Sequence, residues 1–190
     1  RRSSILPPFD FPEGGVHIRP NDIWRDEDTR LQRYKGFAAQ AFAKANGIDK
    51  LVWDTPRPRI GILTTGKAFA DTMEALDELG IDAKVADDIG LRLYKVGMPW
   101  PLEPDGVRAF AEGLEEVLVI EEKRGIIESQ IKEYMSEPDR PGEVLIIGKQ
   151  DELGRPLIPY VGELSPKLVA GFLAARLGRF FEVDFSERMA

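Results

Sequence analysis

The fold is decided by two unbroken apolar runs, Val117-Leu118-Val119-Ile120 and Val144-Leu145-Ile146-Ile147. Runs of β-branched residues and leucine are typical of strands that are covered on both faces of a sheet. Between the two runs, Ile127, Ile131 and Tyr134 recur at helical spacing. A strand, a helix and a further strand in this order predict a crossover connection between parallel strands.

The same alternation continues outward from this pair. Further strands are predicted at residues 59–64 and 91–96, and helices are predicted after Gly66, at 82–89, from Pro104 and from Ser165-Pro166. This order predicts an α/β fold with a doubly wound, mainly parallel sheet. The short apolar run 51–53 lies too close to the next strand for a helical crossover. If this run is a strand, it is therefore antiparallel to the others, and the sheet is mixed.

The first fifty residues have a different character, and we divide the chain into an N-terminal arm and helix (1–50) and an α/β domain (51–190). Prolines and glycines make residues 1–27 irregular, and a helix is predicted at 28–46. Apolar residues in the arm indicate that it packs either on its own domain or on a neighbouring one. Because the sequence begins at Arg1, we expect it to be a piece of a longer protein.

Composition excludes several functional classes. A formal net charge of −7 argues against nucleic-acid binding, which needs a basic surface. The absence of cysteine excludes disulfides, a thiol nucleophile and iron–sulfur ligands on this chain. No apolar run is long enough to span a membrane. The one histidine, His17, lies in the irregular arm and is expected to be a surface residue rather than a ligand.

Ligands of open α/β sheets bind beyond the carboxyl ends of the strands, and this rule selects a first candidate site at Thr64-Thr65-Gly66-Lys67. Here Thr65, Gly66 and Lys67 precede a helix, whose free N–H groups would suit a phosphate or a carboxylate. The turn matches neither a Walker loop nor a dinucleotide fingerprint, so an ordinary strand-to-helix turn is the alternative.

Two further stretches follow strands. The stiff, proline-rich segment 96–104 presents Met98 and Trp100, which we expect to pack on another domain or chain, or else on the segment's own helix. The segment Glu121-Glu122-Lys123-Arg124 either positions an ionic substrate or forms a helix start with acidic residues in its first turn. We find no catalytic residue and no metal ligand to assign.

Several of these stretches, read together and in order, resemble one family, indolepyruvate:ferredoxin oxidoreductase in its long, fused form. The stretches that carry the resemblance are 33–35, 60–67, 94–104, 119–124, 146–149 with Asp151-Glu152, and 162–166. This resemblance implies a domain similar to the C-terminal domain of transketolase, with three α/β/α layers and a mixed, mainly parallel sheet.

The resemblance also implies the chemistry of the whole enzyme. The family uses thiamine diphosphate with Mg²⁺ to decarboxylate an aryl 2-oxoacid such as indolepyruvate, passes the acyl group to coenzyme A, and sends electrons through [4Fe–4S] clusters to ferredoxin. The sequence has neither the cluster cysteines nor a diphosphate motif, so we expect this chain to bind no cofactor alone and to be inactive alone. Its expected role is to frame the cofactor site of a cytoplasmic enzyme.

The expected partners are the remaining domains of the same enzyme and a second copy of the chain, with no nucleic acid and no membrane. Ferredoxin and coenzyme A are expected partners of the whole enzyme. A first alternative is a stand-alone, flavodoxin-like domain that binds a phosphate or coenzyme A at Thr65–Lys67. A second alternative is a stand-alone transketolase-like enzyme for another 2-oxoacid, which would need thiamine-binding residues that the sequence lacks.

Overall fold

The computed structural model describes residues 3–17, 19–136 and 144–181, which form one five-stranded sheet with helices on both faces. The end of the α/β domain predicted from the sequence, residues 182–190, lies outside the described residues. The strands are β1 (Lys50–Trp53), β2 (Ile60–Thr65), β3 (Leu91–Val96), β4 (Glu116–Ile120) and β5 (Leu145–Ile147). The helices are α1 (Trp24–Arg30), α2 (Gly36–Asn46), α3 (Gly66–Glu78), α4 (Ala83–Ile89), α5 (Pro104–Ala111), α6 (Ile126–Met135) and α7 (Pro166–Leu177).

The strands lie in the order β1-β3-β2-β4-β5. Strands β2 to β5 are parallel, and β1 pairs with β3 in the antiparallel sense. The predicted mixed, mainly parallel sheet is therefore confirmed, including the antiparallel first strand. The chain first adds β3 on one side of β2 and then crosses to add β4 on its other side, so the winding reverses between β2 and β4.

Side chains of β2 alternate between two hydrophobic clusters, one on each face of the sheet. Ile60 and Ile62 face the first cluster with residues of α3, α4 and α7, whereas Leu63 faces the second cluster with residues of α5 and α6. Because strand side chains alternate with period two, each central strand contributes to both clusters. The predicted three-layer α/β/α arrangement follows from this double burial.

The N-terminal helix begins earlier than predicted. The sequence pattern predicts a start at residue 28, but α1 begins at Trp24 and continues through a π-helical turn, Leu31–Lys35, into α2. The prediction of irregular structure up to residue 27 is therefore wrong for its last four residues. Asp26 and Glu27 lie in the first turn of α1, where the helix dipole favours acids.

The arm and the helix pack on the α/β body. Asn46 exchanges two hydrogen bonds with the backbone of Ile5, at 2.7 and 2.8 Å, and Gln40 donates to the carbonyl oxygen of Leu102 at 2.7 Å. Large apolar side chains of this region nevertheless stay exposed, among them Phe11, Trp24 and Phe37. The arm thus contacts its own domain, as the first alternative predicts, and its packing on a neighbouring domain stays a prediction.

Within the described residues, none of the helices has the length and hydropathy that a membrane span requires.

Candidate functional site at the carboxyl edge of the sheet

The carboxyl ends of β2 and β4 meet where the winding of the sheet reverses, which is the usual ligand position in doubly wound folds. Thr64 of β2 pairs with Ile120 of β4, so the turn after β2 and the segment after β4 lie side by side. The structure thus brings together two of the three stretches that were selected from the sequence.

Lys67, in the first turn of α3, is already well supplied with acceptors. Its ammonium donates to Asp71 Oδ2 at 2.8 Å and to the carbonyl oxygen of Leu164 at 2.7 Å, and Glu122 Oε1 lies 3.6 Å away. The hydrogen bond to Asp71 raises the pKa of Lys67, so the lysine keeps its charge. The side chain remains 49% exposed, which leaves part of the ammonium open to solvent.

The threonines of this turn point away from a ligand. Thr65 donates its hydroxyl proton to the carbonyl oxygen of Val96 at 2.8 Å, and Thr64 is fully buried. No side chain caps the first N–H groups of α3, however, whereas Asp82, Glu103 and Ser165 cap α4, α5 and α7. The turn therefore offers a ligand backbone N–H groups and Lys67 rather than hydroxyls.

Three lysines from three strand ends hold the backbone of residues 159–165, which we name the strap. Lys67 donates to Leu164 O at 2.7 Å, Lys123 to Gly162 O at 2.5 Å, and Lys149 to Pro159 O at 3.2 Å. Glu122 Oε1 accepts from the Leu164 N–H at 3.1 Å. The strap covers the sheet edge beside β2, β4 and β5, and charge-assisted bonds such as these are stronger than neutral ones.

Glu121 and Lys149 form the buried part of this edge. The Glu121 carboxylate accepts the N–H groups of Ile126, Ile127 and Glu128 and so caps α6, and Lys149 donates to the Glu121 carbonyl oxygen at 2.6 Å. Burial raises the pKa of Glu121 and lowers the pKa of Lys149. The helix start with acidic residues in its first turn, offered as one interpretation, is wrong for residues 121–124, because α6 begins at Ile126. Glu121 caps the helix from outside it, and Glu122 and Lys123 hold the strap.

The third stretch, Met98–Pro101, forms a loop after β3 that we name the Trp100 loop. Trp100 is 62% exposed and Met98 is half-buried. Side chains from other parts of the chain fix the loop at both ends. Asp49 Oδ1 accepts from the N–H groups of Gly97 and Met98. The side-chain amide of Gln130 donates to Pro99 O and accepts from the N–H group of Leu102, each at 2.8 Å. A large aromatic side chain therefore lies in solvent on a loop whose backbone is fixed by hydrogen bonds.

Sequence reasoning missed the residues that hold these features. Lys149 follows β5, so the same rule about carboxyl ends would have found it, but nothing in the sequence pairs Asp49 or Gln130 with a loop far along the chain. The remaining candidate, His17, lies exposed in the arm as expected.

Searches of solved structures return weak likenesses. A chain titled "Split gene transketolase, inactive beta4 tetramer" is 18% identical with a TM-score of 0.45, over 70% of this chain and 42% of that one. A 2-oxoglutarate:ferredoxin oxidoreductase from Magnetococcus marinus, solved with 2-oxoglutarate, coenzyme A and succinyl-CoA bound, is 15% identical with a TM-score of 0.46, over 81% and 22% of the two chains.

Curated relatives are closer in sequence. The indolepyruvate oxidoreductase subunit IorA of Pyrococcus abyssi is 30% identical over 129 residues, which are 68% of this chain and 18% of that subunit. The subunits of Thermococcus kodakarensis and Methanothermobacter marburgensis are 29% and 27% identical over the same 68% of this chain, and 18% and 19% of their own lengths. The chain thus spans less than a fifth of the relatives that it matches.

A family model described as the indolepyruvate oxidoreductase domain matches residues 50–185, from the first residue of β1 to beyond α7. This range contains the sheet, the strap and the Trp100 loop, so the resemblance read from the sequence is confirmed. The chain belongs to the indolepyruvate oxidoreductase domain family.

Proposed function

We propose that this chain is one domain of a 2-oxoacid:ferredoxin oxidoreductase that acts on indolepyruvate or a similar aryl 2-oxoacid. The whole enzyme would decarboxylate the oxoacid, transfer the acyl group to coenzyme A and reduce ferredoxin, with thiamine diphosphate, Mg²⁺ and [4Fe–4S] clusters as its cofactors. Family membership and the IorA relatives support this proposal. They also favour it over a stand-alone flavodoxin-like domain.

The described residues supply ligands neither for an iron–sulfur cluster nor for Mg²⁺. The chain contains no cysteine to bind a cluster, and among the described residues no three acidic or histidine side chains converge as metal ligands. We therefore derive no reaction step on this chain and propose that the cofactors bind to other parts of the enzyme.

The role that we propose for the chain is to frame the cofactor site by packing on the neighbouring domains. The observation that carries this role is the exposed Trp100 on a loop whose backbone is fixed at both ends. Tryptophan is the residue type most enriched at the energetic centres of interfaces, and a preorganised loop loses little entropy on packing. The exposed apolar residues of the arm suit the same role or contact with a second copy of the chain.

The test is Trp100→Ala in the full-length enzyme. We expect kcat/KM for the oxoacid to fall about tenfold or more, because losing a buried interface tryptophan typically costs over 1 kcal/mol. Leu153→Ala is the matched control, since Leu153 is 69% exposed and follows β5 rather than β3, and we expect it to leave the kinetics unchanged. Unchanged kinetics in Trp100→Ala would contradict the framing role.

A second candidate function is anion binding at Thr65–Lys67, favoured by the uncapped start of α3 and the exposed part of Lys67. The ligand would be a phosphate of coenzyme A or a carboxylate of a partner domain. If Lys67 donates one charge-assisted hydrogen bond to it, Lys67→Ala raises the Michaelis constant for coenzyme A or the oxoacid by about 10- to 150-fold. If Lys67 only holds the strap, both Michaelis constants stay unchanged.

A further inference from the structure

A cleft of about 420 Å³ opens beside the end of β3, between the last turn of α2 and the first turn of α5. It lies at the same carboxyl edge of the sheet as the candidate site, but none of the strap lysines lines it. Its polar lining comes from separate parts of the chain: Lys44 on α2, Asp49 before β1, Tyr94 on β3, and Glu103 with Asp105 at the start of α5. Neither of the functions proposed above uses this cleft.

Only one of the two carboxylate oxygens of Asp49 accepts hydrogen bonds from the described residues. Its Oδ1 accepts from the N–H groups of Gly97 at 2.7 Å and Met98 at 3.2 Å, which fixes the orientation of the whole group. Its Oδ2 is buried and accepts no hydrogen bond from the described residues. A buried acceptor without a donor is costly, so a donor that reaches this oxygen recovers that cost.

Tyr94 contributes a second acceptor that lines the cleft. The residue is 6% exposed, and no hydrogen bond among the described residues reaches its hydroxyl. Burial, with help from the carboxylates of Asp49 and Glu103, raises its pKa, so the phenol stays neutral and its oxygen remains an acceptor.

Gly106 allows the first turn of α5 to lie close to these groups. A Cβ at this position would lie 2.5 Å from the Tyr94 hydroxyl and 2.9 Å from Glu103 Oε2. Glu103 itself is 5% exposed and accepts the N–H groups of Asp105 and Gly106, which leaves each of its oxygens able to accept one more bond. The cleft therefore presents a set of acceptors from Asp49, Tyr94 and Glu103.

The charge of the lining selects a cation. Asp49, Glu103 and Asp105 line the cleft with Lys44, whose ammonium is held at Asp105 Oδ2, 2.7 Å away. Arg108 Nη1 lies 3.9 Å from Asp105 Oδ1, so both cations are directed at Asp105, and the carboxylates of Asp49 and Glu103 set the charge of the cleft. A metal ion is not the expected occupant, because no group of three ligating side chains converges among the described residues. The occupant must instead bring its own hydrogen-bond donors.

We propose that this cleft binds an ammonium or guanidinium group, which donates to Asp49 Oδ2 and to the oxygens of Glu103 and Tyr94. The group belongs either to a lysine or arginine side chain from another part of the enzyme or to a free amine. Both sources would donate the same hydrogen bonds to these oxygens, and a comparison of this chain with the full-length enzyme separates them.

The test places 3-fluorotyrosine at position 94 of this chain by codon suppression and follows its fluorine resonance. Titration with methylammonium should give a saturable shift, whereas tetramethylammonium, which carries the same charge but no N–H, should give none. Asp49→Asn keeps an oxygen for the N–H groups of Gly97 and Met98 but puts an amide donor in place of Oδ2. It should weaken methylammonium binding about tenfold or more, the value of one charge-assisted hydrogen bond.

Asp88→Asn is the matched control, since Asp88 pairs with Lys84 on the exposed face of α4 and should leave binding unchanged. Absence of a saturable shift, equal responses to the two cations, or unaltered binding in Asp49→Asn would each overturn the proposal. The comparison of the two cations is decisive on its own if Asp49→Asn does not fold.

Repeating the titration in the full-length enzyme separates the two sources. A shift that is present in this chain but absent in the full-length enzyme means that a lysine or arginine of the enzyme already fills the cleft. A shift that is present in both means that the cleft takes a free amine.

Discussion

At the amino end of β4, Glu116 and Arg176 form an ion pair that is almost completely removed from water. Their side chains are 3% and 6% exposed, and the guanidinium bonds both carboxylate oxygens. Arg176 also reaches Glu152 at 2.9 Å, which ties the segment after β5 to α7. A buried charge that loses its partner cannot be rehydrated, so this pair is expected to matter more for stability than any surface pair.

We expect Glu116→Gln to lower the free energy of unfolding by about 3 kcal/mol, because it leaves Arg176 buried with only part of its compensation. Glu115→Gln is the matched control at the neighbouring position. Glu115 pairs with Arg59 on the surface, where the side chains are 54% and 43% exposed, and its loss should cost less than about 1 kcal/mol. Urea denaturation of both variants measures the difference, and equal losses would contradict this account.

Individual site residues were predictable only in part. The rule about strand ends selects Lys67, Glu121 and Trp100, because it needs only the local pattern of strand and turn. It does not show that Lys67 contacts the strap, since Leu164 lies 97 residues further along the chain. Contacts of this kind depend on tertiary packing, which periodicity does not encode.

At the scale of elements, the spacing of apolar residues predicts every strand of the described sheet to within one or two residues. Buried strands and amphipathic helices have periods of two and 3.6, so their patterns are distinct. The start of the first helix is the clear error, because α1 begins with no side-chain cap and few apolar residues facing the core. The order β1-β3-β2-β4-β5 was not predicted, since alternating strands and helices allow several windings.

The contact between β2 and α5 gives a prediction at this scale. A Cβ on Gly61 would come within 2.5 Å of Leu114 and 2.6 Å of Phe110, so Gly61→Ala should destabilise the domain by about 1–3 kcal/mol through overpacking. Gly171→Ala is the contrasting change within α7. No atom lies within 4 Å of its Cβ, so alanine should stabilise the helix by up to about 1 kcal/mol.

Thermal and urea unfolding of the two glycine variants measure these effects. We expect Gly61→Ala to lower the free energy of unfolding and Gly171→Ala to raise it. A Gly61→Ala protein as stable as the parent would mean that α5 packs less closely on β2 than described.

At the scale of the whole molecule, the chain combines a well-buried core with a surface that keeps several large apolar side chains in solvent. Trp24, Trp100 and Phe37 are 75%, 62% and 56% exposed. Apolar exposure of this kind usually marks a contact surface, and the IorA relatives are more than five times as long as the matched segment. Both facts support the proposal that this chain packs against other domains of a larger enzyme.

The most direct test of this claim is hydroxyl-radical footprinting of Trp100 in the full-length enzyme, with the oxidation rate of each residue divided by its rate in the unfolded enzyme. If the Trp100 loop packs on a neighbouring domain, this ratio for Trp100 is about tenfold or more below the ratio for Leu153, because interface cores exclude water. If Trp100 is oxidised as readily as its 62% exposure in this chain implies, the loop faces solvent in the enzyme and the framing role is contradicted.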